Sequence, residues 1–349
     1  MPRTAPLTTA LPAEPAGQGR PGRERRYDID LLRVVCTAAV VLVHAAAEFI
    51  DAGHRTSGIL GDSAGRFAVP AFFAMAGWAA LAGSPVRGDA QLLTRLGRIL
   101  RPMAVWTALY LAWQYLFGPP LDGGAKEAVR ALFGSVEAAF HLWYLYAYVP
   151  LLLLLGVAVL VLKQRATPRW STLLLVAVAV APVLSEDVRT VTGLPLPAWE
   201  WSVSLSSLGY AVAGAALLAA RRRGPRPLWL AVAALALTAL VVYQFTVRHP
   251  AAYGSVAVAA LTFAVLGAAA GVRVPERARA LLGRLSDASF GTYLVHLLFV
   301  MVLVRPVAEM VPHGVAAPLA LAVTATAAAA LSFAASLLWG RLGLRRWLG

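Results

Sequence analysis

Apolar residues run through this chain in stretches of helix length, and short basic segments separate them. The stretches lie near 29–50, 65–83, 100–117, 140–162, 170–185, 202–220, 227–247, 252–272, 287–304 and 315–339. None shows the roughly ten-residue alternation of a membrane barrel strand. Runs of this length predict helices that cross a bilayer core of about 30 Å. The pattern thus predicts an all-α, polytopic integral membrane protein of about ten transmembrane helices. The fifth stretch is short and is expected to end or break near Pro182.

Composition agrees with the pattern. A mean hydropathy of +0.69 and a hydrophobic content of 59% exclude an ordinary soluble domain. The formal net charge of +14 does not point to nucleic acid, because no compact basic domain exists to carry such binding. It reflects arginine-rich loops instead. With the N-terminus placed inside, 24 of the 31 Lys and Arg residues fall on inner segments. Arg55, Arg66, Lys126, Arg130, Arg189, Arg248 and Arg305 fall outside. The bias repeats at every loop and predicts both termini in the cytoplasm. Residues 1–26 read as a disordered basic tail, 27–340 as one transmembrane domain and 341–349 as a short basic tail. The first span carries charges and has no small-residue cleavage site close behind it, so it is read as a retained anchor. The only cysteine, Cys36, excludes an intrachain disulfide. The outer loop near 118–139 contains a short amphipathic helix pattern, KEAVRALFGSVEAAF. Gly267 and Gly271 form a small-residue pattern whose plain reading is close helix packing.

Four groups of residues complicate the apolar pattern. The first span, YDIDLLRVVCTAAVVLVHAAAE, contains Asp30, Arg33, His44 and Glu48. Ionisable groups inside a span are costly and are functional candidates by default. Arg33 and His44 are eleven residues apart, which puts them on one face about 16 Å apart along the axis. A buried neutral imidazole is a plausible general base. Asp30 fits a pairing or helix-start role, and Glu48 either orients His44 or marks the outer interface. The second group, TRLGRILRP, places Arg95, Arg98 and Arg101 on a basic ridge. Its plain reading is snorkelling to headgroups; its functional reading is a phosphate clamp.

The third group, DASFGTYLVHLL, puts Ser289, Tyr293 and His296 on one face of the ninth span. The fourth, FHLWYLYAYVP, is aromatic at Trp143, Tyr144, Tyr146 and Tyr148. An interfacial belt is its plain reading and a sugar-binding site its functional one. The histidines and carboxylates lack metal-ligand spacing such as HExxH. No GxSxG elbow and no P-loop occurs. These absences argue against a metalloprotease and a primary pump.

On these residues the chain resembles the acyltransferase family 3 membrane proteins. IDLLRVVCTAAVVLVH, with Arg33 and His44, looks like the family's opening motif. VPAFFAMAGW looks like its second-span segment, with Ala76 where a serine is usual. RLGRILRP carries the paired arginines at Arg95 and Arg98, with Arg101 additional. HLWYLYAYVPLLLLL, LGYAVAGAALL and SFGTYLVH are weaker matches, and the first two look like the subgroup that includes single-domain acetyltransferases. The resemblance implies an acyl-CoA co-substrate, expected to be acetyl-CoA, on the cytoplasmic side, with no tightly bound cofactor and no metal. The acceptor would be a hydroxyl of a glycan, a lipid-linked sugar or a small natural product, in the cell (plasma or inner) membrane. His44 and Arg33 would be catalytic. Arg95, Arg98, Arg101, Tyr293, His296, Trp143 and Tyr146 would bind substrate, supported by Asp30, Glu48 and Ser289. The mechanism is open between His44 as base and His44 as nucleophile, with Tyr293, His296 or Arg33 as oxyanion donor. A secondary transporter or flippase is the competing class, since intramembrane His, Arg and Glu also suit proton-coupled transport. A non-catalytic scaffold has no use for a cation and an imidazole on one buried face. Neither acceptor identity nor oligomeric state is legible.

Overall fold

The computed structural model describes residues 25–118, 126–163, 168–193, 197–220 and 225–349. Its helices are α1 (Tyr27–Asp51), α2 (Arg55–Gly65), α3 (Ala68–Trp78), α4 (Asp89–Phe117), α5 (Lys126–Arg130), α6 (Trp143–Leu162) and α7 (Arg169–Thr192). They continue with α8 (Leu205–Ala219), α9 (Arg226–Thr246), α10 (Val256–Ala269), α11 (Glu276–Phe299), α12 (Arg305–Met310), α13 (Ala316–Arg341) and α14 (Arg345–Leu348). No strand occurs among the described residues. An all-helical chain is what lipid demands, because a helix satisfies its own backbone hydrogen bonds.

All ten apolar stretches lie on helices. Seven helical segments among the described residues are long and apolar enough to cross a membrane. Two others are shorter: α8 has 15 residues and α10 has 14, or about 21–23 Å each, less than a bilayer core.

Three boundaries differ from the sequence expectation. The fifth stretch does not break at Pro182, since α7 runs through it for 24 residues. Inside a membrane bundle, neighbouring groups re-satisfy the freed backbone, so an internal proline is tolerated. The second span begins at Arg55, ten residues early, and so takes in Asp62 and Arg66. Both are buried and paired at 2.8 Å, which is how two charges survive inside a span. The amphipathic pattern in the outer loop is helical only at α5, and Glu137–Leu142 forms a tight 3₁₀ turn leading into α6. Residues 119–125 of that loop lie outside the described residues.

Both ends of the described chain make contacts with the bundle. Residues 1–24 lie outside the described residues, but Arg25 and Arg26 are tied into the bundle. Arg25 pairs with Asp30 at 2.6 Å and Asp287 at 2.9 Å, and Arg26 pairs with Asp28 at 2.6 Å. The Asp30 hydrogen bond, with Asp287 adding to it, raises the Arg25 guanidinium pKa above its ordinary value against the opposing effect of burial. Residues 341–349 are not a free tail. Trp106 Nε1 donates to the Leu348 carbonyl at 3.2 Å, which holds α14 against α4.

Burial orders the bundle. The spans built on α1, α2–α3 and α6 are the most enclosed, whereas α7 and α9 turn most of their surface outward. Glycine permits the closest approach inside. A Cβ on Gly77 of α3 would lie 1.9 Å from the Ala211 carbonyl oxygen of α8. Gly267 likewise packs on Trp229 of α9, the packing role read from its pattern. Together α1, α3, α4, α6 and α11 surround the interior described next.

Candidate active site

His44 of α1 and His296 of α11 meet inside the bundle. His296 Nε2 lies 3.2 Å from His44 Nδ1. The surrounding acceptors determine where the protons sit. His44 Nδ1 also lies 2.9 Å from the Val40 carbonyl, and His296 Nδ1 lies 2.6 Å from the Tyr293 carbonyl. A carbonyl only accepts, so each Nδ1 carries a proton. A neutral His296 then presents its Nε2 lone pair to His44 Nδ1–H. His44 Nε2 is left unprotonated, as a base or nucleophile requires.

A third histidine completes the group. His141, in the turn before α6, is 1% exposed, and neither of its ring nitrogens makes a hydrogen bond of good geometry, although the Leu294 main chain stands beside the ring. Its ring centroid lies 5.2 Å from that of His296 and 6.4 Å from that of His44. A buried imidazole without a well-formed hydrogen bond is costly, which marks His141 as a group waiting for a ligand. It stood inside the aromatic motif FHLWYLYAYVP, but one histidine among five aromatics gave no period or spacing to single it out. No group of three or more His, Cys, Asp or Glu side chains among the described residues is arranged to hold a metal.

Three cavities lead to this group in series. The innermost, about 20 Å³, is lined by His44, His141, Trp143, Tyr144, Tyr253 and Tyr293. That volume holds about one water-sized group. The second, about 350 Å³, shares Tyr144 and Tyr293 with the first and reaches Arg33, Ala76, Tyr148, Ser289 and Phe290. The third, about 580 Å³, shares Asp287 and Phe290 with the second and is lined by Arg98, Arg101, Arg345 and Arg346. The path therefore runs along α1 from the Arg33 end to His44, over the span read from helix rise.

Polar contacts at the Arg33 end hold the mouth of the middle cavity in place. Asp30 is buried and accepts from Arg25 and, at 2.6 Å, from Ser286 Oγ. Arg33 sits 3.7 Å from Asp30 and donates to Ser286 Oγ at 3.4 Å, with 39% of its side chain still accessible. Asp30 thus joins α1 to α11, and Arg33 keeps donors free for a ligand.

The other expected site residues divide. Ser289 lines the middle cavity and bonds the Leu285 carbonyl. Tyr293 lines two cavities, but its hydroxyl is committed to the His141 carbonyl at 2.5 Å. Trp143 lines the His44 cavity and stacks on Tyr253 at 5.5 Å. Tyr146 points elsewhere, its hydroxyl on the Ala131 carbonyl and its ring on Trp201. Glu48 faces Arg305 at 3.9 Å and makes no contact with His44. Arg95 donates to the Ser84 carbonyl at 2.6 Å and lines neither outer cavity. The ridge splits although the three arginines are spaced by three: Arg98 and Arg101 line the cavity with Thr94 and Gly97, whereas the Ser84 carbonyl holds Arg95 away from it.

Tyr144 and Tyr148 belong to the aromatic motif that fits either an interfacial belt or a site. They stack at 5.4 Å and line the middle cavity. Their spacing of four puts them on one inward face, a signal hidden by the aromatics around them.

Comparison with known proteins adds one result. The family model described as an acyltransferase domain matches residues 26–339. No curated protein and no solved structure is matched.

Proposed function

Because the chain belongs to the acyltransferase 3 family, whose model covers nearly all of it, we propose that this membrane acyltransferase takes an acyl group from acyl-CoA and delivers it to a hydroxyl. The observation that carries the reading is the series of cavities from Arg98 and Arg101, past Arg33, to His44. CoA has the matching layout, with phosphates at one end, an extended pantetheine arm, and a thioester at the other. In this reading the phosphates lie at the outermost, cytoplasmic cavity. The arm fills the aromatic middle cavity, and the thioester reaches His44. The small space beside His44 disfavours a long acyl chain there.

His44 acts as general base. Nε2 takes the proton of the acceptor hydroxyl as its oxygen attacks the thioester carbonyl. His296 Nε2, accepting from His44 Nδ1–H, steadies the imidazolium that forms. The tetrahedral intermediate then collapses, the C–S bond breaks, and Nε2–H returns the proton to the leaving thiolate. The developing oxyanion needs a donor. The Tyr293 hydroxyl is committed to a carbonyl, His296 spends its one N–H on another, and Arg33 stands three turns away. His141 makes no hydrogen bond of good geometry through its ring, with only the Leu294 main chain beside it, so the oxyanion is assigned to His141. The acceptor, a glycan or small-molecule hydroxyl, approaches from the side of the stacked Trp143 and Tyr253.

The test is purified protein in lipid nanodiscs, incubated with radiolabelled acetyl-CoA and candidate hydroxyl acceptors. His44→Ala is expected to abolish transfer while CoA binding and thermal unfolding stay near wild type. Full transfer by His44→Ala would remove the proposed base. Failure of the wild type to bind any CoA thioester would favour the transporter class instead.

A further inference from the structure

The outermost cavity contains more positive charge than the paired-arginine motif accounts for. Arg98 and Arg101 reach it from α4, and Arg345 and Arg346 reach it from α14, far away in the chain. Arg98 and Arg101 make no hydrogen bond or ion pair with any described residue. Arg345 donates to the Asp287 backbone carbonyl at 2.9 Å, and Arg346 lies over the Trp347 ring at 5.5 Å. Asp287 is the one side-chain carboxylate that lines the cavity, already paired with Arg25 at 2.9 Å; Gly349, the last residue, also lines it, with its main-chain oxygen accepting from Trp339. Four arginines thus line one cavity and outnumber the carboxyl groups there. Snorkelling would spread arginines outward toward separate headgroups, whereas these face one 580 Å³ space. The arrangement is built, because Trp106 and Trp339 donate to the main-chain oxygens of Leu348 and Gly349 and fix α14 in place. Convergent arginine forks match phosphate oxygens.

Building on the donor-site reading above, we infer that Arg345 and Arg346 bind the 3′-phosphate of the CoA nucleotide. Position separates their role from that of the α4 arginines. Arg98 and Arg101 flank Ile99, which lines the next cavity inward, so they stand at the junction where the diphosphate passes. Arg345 and Arg346 line the outermost cavity and have no chain neighbour in the next one inward, so they are assigned to the ribose and its phosphomonoester. A dianionic phosphomonoester there would balance the excess positive charge.

The experiment compares CoA with 3′-dephospho-CoA by calorimetry, using the full chain in phosphatidylcholine nanodiscs. Wild type is expected to prefer CoA by roughly tenfold or more. The double variant Arg345→Ala/Arg346→Ala is expected to bind CoA only as well as dephospho-CoA, with affinity for dephospho-CoA unchanged. Arg345→Lys/Arg346→Lys is expected to recover part of the preference, which separates lost charge from lost folding. Arg98→Ala is expected to weaken both nucleotides alike. Equal wild-type affinities, or a preference that survives in the double alanine variant, would overturn the assignment while leaving the donor site standing. Loss of the wild-type preference in phosphatidylglycerol nanodiscs would assign the arginines to lipid headgroups and overturn it as well. Wild-type protein that binds neither nucleotide would overturn the donor-site reading itself.

Discussion

His44 acquires its chemistry from two carbonyls. The Val40 and Tyr293 oxygens hold protons on the Nδ1 atoms of His44 and His296, and the free lone pair at His44 Nε2 follows. This tautomer follows from which partners can only accept, and no charge near the ring is needed to set it. His141 stands beside the pair without a well-formed hydrogen bond through its ring. If it donates to the oxyanion, His141→Phe keeps the ring packing against Tyr110 and Tyr293 and loses the donor. The expected result is a fall in kcat of about 10²- to 10³-fold with KM for acetyl-CoA near wild type. A fall in CoA affinity of the same size would instead mark His141 as part of the binding wall. His44 and His296 could be read from the sequence because a lone histidine in an apolar span is conspicuous. His141 could not, because its lack of such a bond is a property of the folded interior.

At the scale of elements, the site depends on how helix ends are secured. Asp89, at the start of α4, accepts the Trp170 and Ser171 backbone N–H groups and the Ser171 hydroxyl. It thereby caps α7 from another helix, satisfying donors that a helix start leaves open. The Ser171 hydroxyl bond, with the two backbone bonds, lowers the Asp89 pKa below its ordinary value against a small opposing effect of burial. A depressed carboxylate stabilises the fold above its ordinary pKa and loses that contribution as pH falls through its native value. Asp89→Ala is expected to lower stability by about 1 kcal/mol at neutral pH, with a smaller difference from wild type below about pH 4. Thermal unfolding in nanodiscs across that range checks both. The ten helical stretches were legible from hydrophobic runs. The extension of the second span to Arg55 was not, because the Asp62–Arg66 pair disguises a buried helix as a polar loop. The continuation of α7 through Pro182 was hidden for a different reason: in lipid a broken helix would leave more backbone groups without partners than the proline does.

At the scale of the whole molecule, the reading requires the arginine-lined cavity to open on the side where acyl-CoA is made. The distribution of Lys and Arg predicts that the Arg33 end of the bundle faces inside. Cys36 is buried and leaves a silent background for added cysteines. Glu309→Cys is expected to react with an impermeant maleimide on intact cells, and Arg277→Cys only after permeabilisation. The reverse pattern would place the donor cavity on the wrong side and remove the CoA reading.

The sequence by itself determined the class of molecule. Helix-length apolar runs admit only helices in lipid, and the charges left inside α1 and α11 pointed to the residues worth inspecting. It also determined the Arg33-to-His44 distance, because helix rise is constant. Tertiary structure decided which groups meet. It turned Arg95 and Tyr146 away from the cavities and brought Tyr144 and Tyr148 into them. It left His141 without a well-formed ring hydrogen bond beside His44, and folded α14 back to set Arg345 and Arg346 beside Arg98 and Arg101. These are contacts between segments far apart in the chain. Periodicity records which face of a helix is apolar, and it carries no information on which other helix that face will meet.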